Sequence, residues 1–402
     1  MFRQDSFTTP TKSNQSGFHT RCILSLITPA VILTALPSFA FQRASGISQK
    51  PERSAAAVTV AKSTDALAIV VLGGREGYID TAGHYVINPQ FFSVENFSEG
   101  LAVVAPELIS KVGEDGHINS EDKYGYIDKT GSFVINPQFE NAGPFDANSF
   151  SEGLAAVRLG GVWGFIDKTG KFIVNPQFEY ASPFTEGLAP VKTAPSLANL
   201  TLGAWGYIDK TGRYVIDPQF EVANSFSGGL ASVEIGGRYG YIDKNGKVVI
   251  KPQFDDAYNF EDDLARVELG GKTGYIDKTG RYIINPQFDL AYNFSEGLSE
   301  VKIGDKYGYI DKTGSYVITP QFDVAFSFVE GLAPVKVGNR WGYIDVKGKF
   351  VINPQFDYAS TFFHGLAAVK VGDRWGYIDK TGKYAINPQF GFGGDFKVDE
   401  DK

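Results

Sequence analysis

Apolar residues follow one short pattern along most of this chain. Near the C-terminus, "LAAVKV" (Leu366–Val371) is followed by "GDR", then by "WGYID", "KTG" and "KYAI". Each apolar run is short and is bounded by Gly, Asp or Asn, which is typical of β-strands joined by tight turns. The pattern therefore predicts three antiparallel strands in each unit, followed by a connection to the next unit.

The Asp-Lys-Thr-Gly segment predicts a type I turn with a glycine bulge. Asp379 can accept backbone N–H bonds there, and Gly382 can adopt a positive φ without steric cost. The run after the turn, which includes Tyr384 and Ile386, is apolar on both faces, so we expect an interior strand. Because proline cannot donate to a strand ladder, Pro388 is expected to end the pairing of that strand.

The unit recurs nine times, which organises the whole chain. The glycine of Gly-(Tyr/Phe)-Ile-Asp is found at Gly77, Gly125, Gly164, Gly206, Gly240, Gly274, Gly308, Gly342 and Gly376. The last five intervals are 34 residues long, and the first three contain 14, 5 and 8 additional residues. The connections share apolar anchors such as Phe356, Ala359 and Phe362 and most end at glycine. Asp263 replaces that glycine, so a positive φ is expected at Asp263.

One unit has too little core to be stable alone, so the units must stack on one another. The sequence predicts an all-β fold: a tandem array of nine β-meander repeats of ~34 residues, arranged as a propeller-like arc or ring. An open β-solenoid satisfies the same pattern. The repeats are expected to fill residues 65–396, with a short C-terminal tail at 397–402.

The repeated "WGYIDKTGKYxINPQF" resembles the bacterial WG-repeat family, also called KWG repeats. Trp163, Trp205, Trp341 and Trp375 keep the tryptophan, and the other five units replace it with Glu76, Tyr124, Tyr239, Thr273 and Tyr307. The resemblance implies a noncatalytic bacterial β-repeat protein that is often exported. It brings no established catalytic residues.

The N-terminal segment has the pattern of an export signal. A basic region precedes the uncharged apolar run from Cys22 to Ala40, which ends in the small-x-small sequence Ser38-Phe39-Ala40. We therefore expect a signal peptide at 1–40, a flexible linker at 41–64, and a mature protein in the periplasm, cell envelope or extracellular space. An uncleaved membrane anchor is the alternative, and membrane contact is expected only in that case.

Bulk composition argues against several function classes. The formal net charge is −8 and no run of Lys or Arg occurs, so no nucleic-acid partner is expected. The single cysteine lies inside the predicted signal, which leaves no thiol for catalysis or metal binding after cleavage. The four histidines are far apart in the sequence, and no cofactor motif occurs. Neither a metal site nor a cofactor is predicted.

Asp-Lys-Thr-Gly also opens the phosphorylation motif of P-type ATPases, but it occurs here six times. A nucleophile is needed once per site, whereas a turn is needed once per repeat. Paired carboxylates could hydrolyse glycosides. However, acids such as Asp255, Asp289 and Asp357 recur at equivalent positions, where a structural role is expected. No catalytic residue is predicted.

The aromatic column at the tryptophan position is the candidate ligand-binding site. Its members are Tyr124, Trp163, Trp205, Tyr239, Tyr307, Trp341 and Trp375. Stacked aromatic rings could bind sugars or peptides. The alternative is that the rings pack between neighbouring units, because the position recurs with the repeat.

Three segments depart from the period, at 105–122, 141–150 and 193–204. The first and third extend the same turn of units two and four, which places them on one edge of the array, where they could bind a partner. Neutral variation in tolerant loops is the alternative. We expect an exported, noncatalytic protein that binds a protein or other macromolecule. A carbohydrate- or cell-wall-binding protein, with a glycan partner, and an envelope hydrolase are the alternatives.

Overall fold

A computed structural model describes residues 66–107, 110–112, 118–120, 122–140, 149–195 and 203–399. The described residues form strands and turns and contain no helix. Correspondingly, this part of the chain has no helix long and apolar enough to cross a membrane. The predicted signal peptide, the linker at 41–64 and most of the segment 141–150 lie outside the described residues.

Nine antiparallel units, here called blades, follow one another along the chain, and most contain a short first strand and three longer strands. Blades two and three are joined into one seven-stranded sheet, because Glu140 pairs with Arg158. The first strands are β4 (Ser93–Val94), β13 (Tyr180–Ala181), β17 (Val222–Ala223), β21 (Asp256–Glu261), β25 (Leu290–Ala291), β29 (Val324–Ala325), β33 (Tyr358–Ala359) and β37 (Phe392–Gly393). The second strands, which number the blades from one to nine, are β1 (Ala66–Leu72), β5 (Ala102–Ala105), β10 (Ala155–Leu159), β14 (Ala189–Lys192), β18 (Ala231–Ile235), β22 (Leu264–Leu269), β26 (Leu298–Ile303), β30 (Leu332–Val337) and β34 (Leu366–Val371).

The third strands contain the Trp-Gly position. They are β2 (Arg75–Ile79), β8 (Lys123–Ile127), β11 (Val162–Ile166), β15 (Trp205–Ile208), β19 (Arg238–Ile242), β23 (Lys272–Asp277), β27 (Lys306–Asp311), β31 (Arg340–Asp345) and β35 (Arg374–Asp379). The fourth strands are β3 (Tyr85–Phe91), β9 (Phe133–Glu140), β12 (Phe172–Phe178), β16 (Tyr214–Phe220), β20 (Val248–Phe254), β24 (Tyr282–Phe288), β28 (Tyr316–Phe322), β32 (Phe350–Phe356) and β36 (Tyr384–Phe390). Three further strands are β6 (Ser110–Val112), β7 (Ile118–Ser120) and β38 (Lys397–Val398).

The predicted three-stranded meander is confirmed, and the connection adds a fourth strand to it. In blade nine, Tyr358 and Ala359 of β33 pair with Lys370 and Val369 of β34. The predicted anchors Phe356, Ala359 and Phe362 are all buried. The connection is therefore part of the sheet that follows it.

The prediction of an interior strand after the Asp-Lys-Thr-Gly turn is wrong. That strand is the fourth, at the edge of its blade, and Tyr384 on it is 43% exposed. Pro388 does not end the pairing either, because β36 continues to Phe390, which pairs with Trp375. An edge strand accommodates proline, and the register shifts around the Asn-Pro segment as a bulge.

This bulge explains the glycine of the Trp-Gly pair. A Cβ atom at Gly376 would lie 2.6 Å from both the carbonyl oxygen of Ile386 and the nitrogen of Pro388. Such a contact is too short for any side chain. The glycine is required because the neighbouring backbone approaches it closely, and it has no positive φ.

Neighbouring blades share their cores through a repeated set of contacts. Tyr343 of blade eight is fully buried, and its ring contacts Phe362 of the next connection in a tilted arrangement, at 4.8 Å between centroids. Its hydroxyl donates to the carbonyl of Ser360 at 2.8 Å. The Ile352 side chain of blade eight lies under the turn glycine Gly382 of blade nine. Each blade therefore buries one face against the next.

The same contacts join blade nine to blade one. Strands β37 and β38, which come from the end of the chain, both pair with β1. The Ile386 side chain lies under Gly83, and Phe390 contacts Tyr85 edge-on at 6.3 Å between ring centroids. The array is therefore a ring of nine blades, which agrees with the predicted propeller-like arrangement. Residues 397–399, which we assigned to a tail, are part of this closure.

Candidate functional site

The Asp-Lys-Thr-Gly turns form one end of the ring, which we call the lower end. In blade nine, the Asp379 carboxylate accepts the backbone N–H groups of Thr381 and Lys383 and the Thr381 hydroxyl. The hydrogen bond from the Thr381 hydroxyl is the main reason why the pKa of Asp379 is lowered. Gly382 has φ 84° and donates its N–H to the Asp379 carbonyl. The predicted turn with a glycine bulge is confirmed.

Ion pairs at the lower end connect neighbouring blades. Lys168 of the blade-three turn lies 3.2 Å from Glu99 of blade two, and Glu99 also accepts the N–H of Gly153 at 3.0 Å. Equivalent pairs join Lys210 to Glu152, Lys244 to Glu186 and Lys380 to Glu330. The acids adopt positive φ values, as does Asp263 with φ 64°, which confirms that prediction. The lysines of the motif therefore stabilise the stacking of the blades.

The aromatic column packs between blades. Trp341 stacks on Phe326 at 4.9 Å and contacts Tyr358 at 5.3 Å, and Tyr358 in turn contacts Trp375 at 5.3 Å. Trp163 and Trp341 are buried, whereas Tyr124, Trp205, Tyr239, Tyr307 and Trp375 are partly buried. This geometry favours the packing interpretation. Ligand binding by these seven residues stays a prediction.

The other end of each blade, which we call the upper end, carries the turns between the second and third strands. The last residue of the second strand is an exposed aliphatic side chain in seven blades, with exposed fractions between 37% and 45%. These residues are Leu72, Leu159, Ile235, Leu269, Ile303, Val337 and Val371. We call them the aliphatic ring. In blades two and four the equivalent position begins an insertion.

The described parts of both insertions lie at the upper end, as the sequence predicted. Strands β6 and β7 form a hairpin between β5 and β8 of blade two. In blade four the segment 193–204 lies between β14 and β15. The described ends of this segment remain close, since the Thr193 N–H donates to the Ala204 carbonyl at 3.0 Å.

Acidic residues after Pro-Gln-Phe hold the upper turns in place. Asp289 lies 2.6 Å from Lys272 of blade six and accepts the N–H of Gly304, in the turn of blade seven, at 2.7 Å. Asp255 contacts Arg238 and Gly270 in the same way. Asp357 likewise contacts Arg340 and Gly372. The predicted structural role of these acids is confirmed.

One buried acid departs from the repeat. Glu300 of blade seven is 4% exposed and accepts a hydrogen bond from the Ser327 hydroxyl at 3.0 Å. Burial raises the pKa of Glu300 to about 7, against the opposite effects of its hydrogen bonds and of the Arg266 charge. The Arg266 guanidinium lies 3.7 Å from the centre of the Tyr258 ring. Glu300 is therefore not open to a substrate.

Two cavities occur among the inner connections. The larger, of 530 Å³, is lined by parts of five blades and includes Glu99, Phe363, His364 and Lys397. The smaller, of 430 Å³, includes Gly228, Asp263 and Lys278. Among the described residues, no group of three or more His, Cys, Asp or Glu side chains is placed to hold a metal ion.

The sequence analysis singled out the aromatic column and missed the aliphatic ring. A signal for this ring was present, because an aliphatic residue directly precedes the first turn glycine in seven units. In the sequence, that residue is the end of the apolar run that predicts the second strand. Only the position of the turn at the surface shows that its side chain is exposed.

Comparisons with solved structures show the fold alone. A crystal structure of the eukaryotic initiation factor matches with a TM-score of 0.53 and 12% identity, over 73% of this chain and 84% of that chain. Hsv2p of Kluyveromyces lactis matches with a TM-score of 0.36 and 11% identity, over 69% of this chain and 93% of that chain. PorZ, a surface component of the type-IX secretion system of Porphyromonas gingivalis, matches with a TM-score of 0.28 and 11% identity. The match covers 79% of this chain and 50% of that chain. The last two scores are too low to support an argument.

No curated protein matches this sequence. The sequence model of the family described as "WG containing repeat" matches nine times, at 77–105, 124–163, 163–193, 205–239, 239–272, 274–307, 307–341, 341–375 and 375–400. These matches cover most of the chain, and each begins on the third strand of one blade and extends into the next blade around the ring. The chain therefore belongs to the family of proteins with WG containing repeats.

Proposed function

We propose that this chain is an exported, noncatalytic repeat protein that binds another protein through the upper end of its ring. The aliphatic ring carries the proposal. Seven exposed aliphatic side chains occupy one end of the molecule, and the two insertions interrupt them at the same end. Apolar side chains grouped on a surface are a feature of protein-binding sites.

The upper end also has the mixed character of a protein interface. In six of the seven blades the aliphatic residue is directly opposite an arginine or lysine across the turn. The pairs include Leu72 with Arg75, Ile235 with Arg238 and Leu269 with Lys272. An interface of this kind combines apolar contact area with donors for hydrogen bonds.

The proposal favours a protein over a glycan as the partner. A sugar-binding site requires an accessible aromatic face, whereas Trp163 and Trp341 are buried between blades. The partly buried Trp205 and Trp375 are the residues through which a glycan could still bind. Export rests on the N-terminal sequence pattern. The noncatalytic role rests on the repetition of Asp255, Asp289 and Asp357 at equivalent positions of their units.

Matched surface variants test the proposed binding face. Replacing Leu269, Ile303 and Val337 together with serine removes three neighbouring members of the aliphatic ring. The control replaces Val215, Val249 and Val317 with serine, because these are equally exposed but lie on the outer edges of blades. Both variants should fold, since every altered side chain is at the surface.

Partners captured from an envelope extract would be measured by quantitative mass spectrometry. We expect the aliphatic-ring variant to lose the specific partner and the outer-edge variant to retain it. Equal capture by both variants would show that the upper end is not the binding face. A glycan array run on the same proteins checks the carbohydrate alternative, which predicts binding that depends on Trp205 and Trp375.

A further inference from the structure

The residue after Pro-Gln-Phe occupies an equivalent place in all nine units. Its N–H donates to the second strand, as shown by Asp357 with the Lys370 carbonyl at 2.9 Å and by Gly391 with the Val71 carbonyl at 2.8 Å. Seven of these positions carry an acid, namely Glu140, Glu179, Glu221, Asp255, Asp289, Asp323 and Asp357. The two exceptions are Phe92 and Gly391, which are consecutive around the ring.

At four of these junctions, those of Asp255, Asp289, Asp323 and Asp357, two neighbouring blades donate to one carboxylate. Asp357 accepts one bond from the Arg340 guanidinium of blade eight and another, at 2.7 Å, from the N–H of Gly372 in the turn of blade nine. Where the turn contains two glycines, both can donate, as Gly236 and Gly237 do to Glu221 at 2.9 and 3.0 Å. Charge-assisted bonds of this kind are the strong ones.

The junction between blades nine and one keeps the same donors. Arg374 donates to the Gln389 carbonyl at 3.3 Å, which matches the bond of Arg340 to Gln355 at 3.4 Å. Gly73 and Gly74 have φ values of 62° and 76°, close to the 62° and 71° of Gly236 and Gly237.

The acid, however, is replaced by Gly391. Within the described residues, no carboxylate pairs with Arg374, and none accepts the N–H of Gly73 or Gly74. The fold does not force this glycine. A Cβ atom at Gly391 would meet only ordinary contacts, the nearest at 3.4 Å from the Val71 carbonyl oxygen, and its φ is not positive.

We propose that Gly73, Gly74, Arg374 and Gly391 form a binding site, here called the closure-junction site, for the side-chain carboxylate of an Asp or Glu residue of the protein partner. The inference rests on the proposed function and names the chemistry of the partner. At each junction that carries an acid after Pro-Gln-Phe, a side-chain carboxylate lies in this place. The donors of the closure-junction site therefore already have the geometry to bind a carboxylate.

The surroundings define the residues next to that acid. Leu72 and Phe392 are adjacent in sequence to members of the closure-junction site, and Val371 pairs with Arg374 across the turn. Leu72, Val371 and Phe392 are each about two-fifths exposed, at 43%, 39% and 42%. A partner segment whose acid is flanked by apolar residues would contact them while its carboxylate binds the donors. The site lies at the upper end, beside the aliphatic ring.

Blocked tripeptides test the site directly. The probe is acetyl-Leu-Asp-Leu-amide, and the control is acetyl-Leu-Asn-Leu-amide, which has the same shape without the charge. Titrations are followed by the amide NMR signals of Gly73 and Gly74, with Gly236 and Gly237 as internal controls. We expect saturable shifts at Gly73 and Gly74 only, and binding of the Asn peptide weaker by about tenfold or more.

Two substitutions identify the groups involved. Gly391→Asp supplies the missing carboxylate from within the chain and should weaken binding of the Asp peptide by about tenfold or more, as should Arg374→Gln. Gly391→Asn and Arg340→Gln are the matched controls and should bind the peptide like the wild type. Unchanged binding by Gly391→Asp, or equal binding of the two peptides, would overturn the proposal.

A third peptide, acetyl-Leu-Asn-Leu with a free C-terminus, separates a chain-terminal carboxylate from a side-chain one. Tighter binding of this peptide than of the Asp peptide would refute the side-chain assignment. Partner capture separates this proposal from the proposed function. If Gly391→Asp retains a partner that the aliphatic-ring variant loses, the closure-junction site is not used by that partner and the upper face still is.

Discussion

The carboxylate of Asp399 accepts the backbone N–H of Gly100 at 3.0 Å, so the end of the chain is bound to blade two. At other junctions a glutamate of the preceding blade makes this contact, as Glu99 does with Gly153. Asp399 also pairs with Lys129 at 3.0 Å, in the way that Glu99 pairs with Lys168. The C-terminal segment thus supplies an acid to the junction between blades one and two.

Asp399→Ala is therefore expected to weaken the closure of the ring. The Asp399 side chain is only 5% exposed, and its loss leaves the Gly100 N–H without its acceptor. We expect a loss of about 2 kcal/mol in the free energy of unfolding, measured by urea denaturation. Asp373→Ala, in an exposed turn, is the control and should change little. Equal midpoints for the two variants would contradict the role of Asp399.

Gly376→Ala should be strongly destabilising because its Cβ would meet the backbone of Ile386 and Pro388 at 2.6 Å. We expect a loss of about 3 kcal/mol, since the bulge must move to make room. Gly391→Ala adds the same methyl group where the nearest atom is 3.4 Å away, and its cost should stay below about 1 kcal/mol. Thermal denaturation of the two variants makes the comparison, and similar melting temperatures would refute the steric explanation.

Trp341→Ala tests whether the aromatic column is core. The ring is buried against Phe326 and Tyr358, so its removal should lower the free energy of unfolding by about 3–5 kcal/mol. Thr273 occupies the same position in blade six and is also buried, but Thr273→Ala removes far fewer contacts and should cost less than about 2 kcal/mol. A Trp341→Ala protein with wild-type stability would instead support a binding role for the column.

Glu300 should make the stability of the protein depend on pH. Its pKa in the folded protein is about 7 and the ordinary value is 4.5, so the folded state retains a proton that the unfolded state has lost. The free energy of unfolding should therefore fall as the pH rises from about 4.5 to 7, by about 3 kcal/mol from this group.

Glu300→Gln removes this titration and keeps a side chain of similar shape. The stability of the variant relative to the wild type should increase with pH across this range and then level off above the folded pKa. Denaturation at a series of pH values measures the difference. Parallel pH profiles for the two proteins would show that Glu300 does not titrate in this way.

The strands and turns within one unit were predictable because they depend on local chemistry. Asp379 and Gly382 specify their turn through bonds that span four residues. The positive φ of Asp263 followed from its alignment with glycines in other units. The place of the fourth strand was not predictable from its composition, because an apolar strand of a repeat protein can lie at an edge as well as in the interior.

The candidate site was only partly visible in the sequence. Alignment of the nine units shows that Gly391 replaces an acid, but the consequence depends on Gly73 and Gly74, which lie more than 300 positions earlier in the chain. These residues share a junction only because β37 pairs with β1. No local pattern could indicate that the two ends of the chain complete one site.

The sequence by itself determined the nine units, their turns and their β-strand character, because each of these depends on residues that are close along the chain. The tertiary structure alone decided that the ring closes, that the fourth strands lie outside, and that the aliphatic residues before the turn glycines are exposed together at one end. Those features arise from contacts between blades, and the contacts that close the ring join residues more than 300 positions apart in the chain.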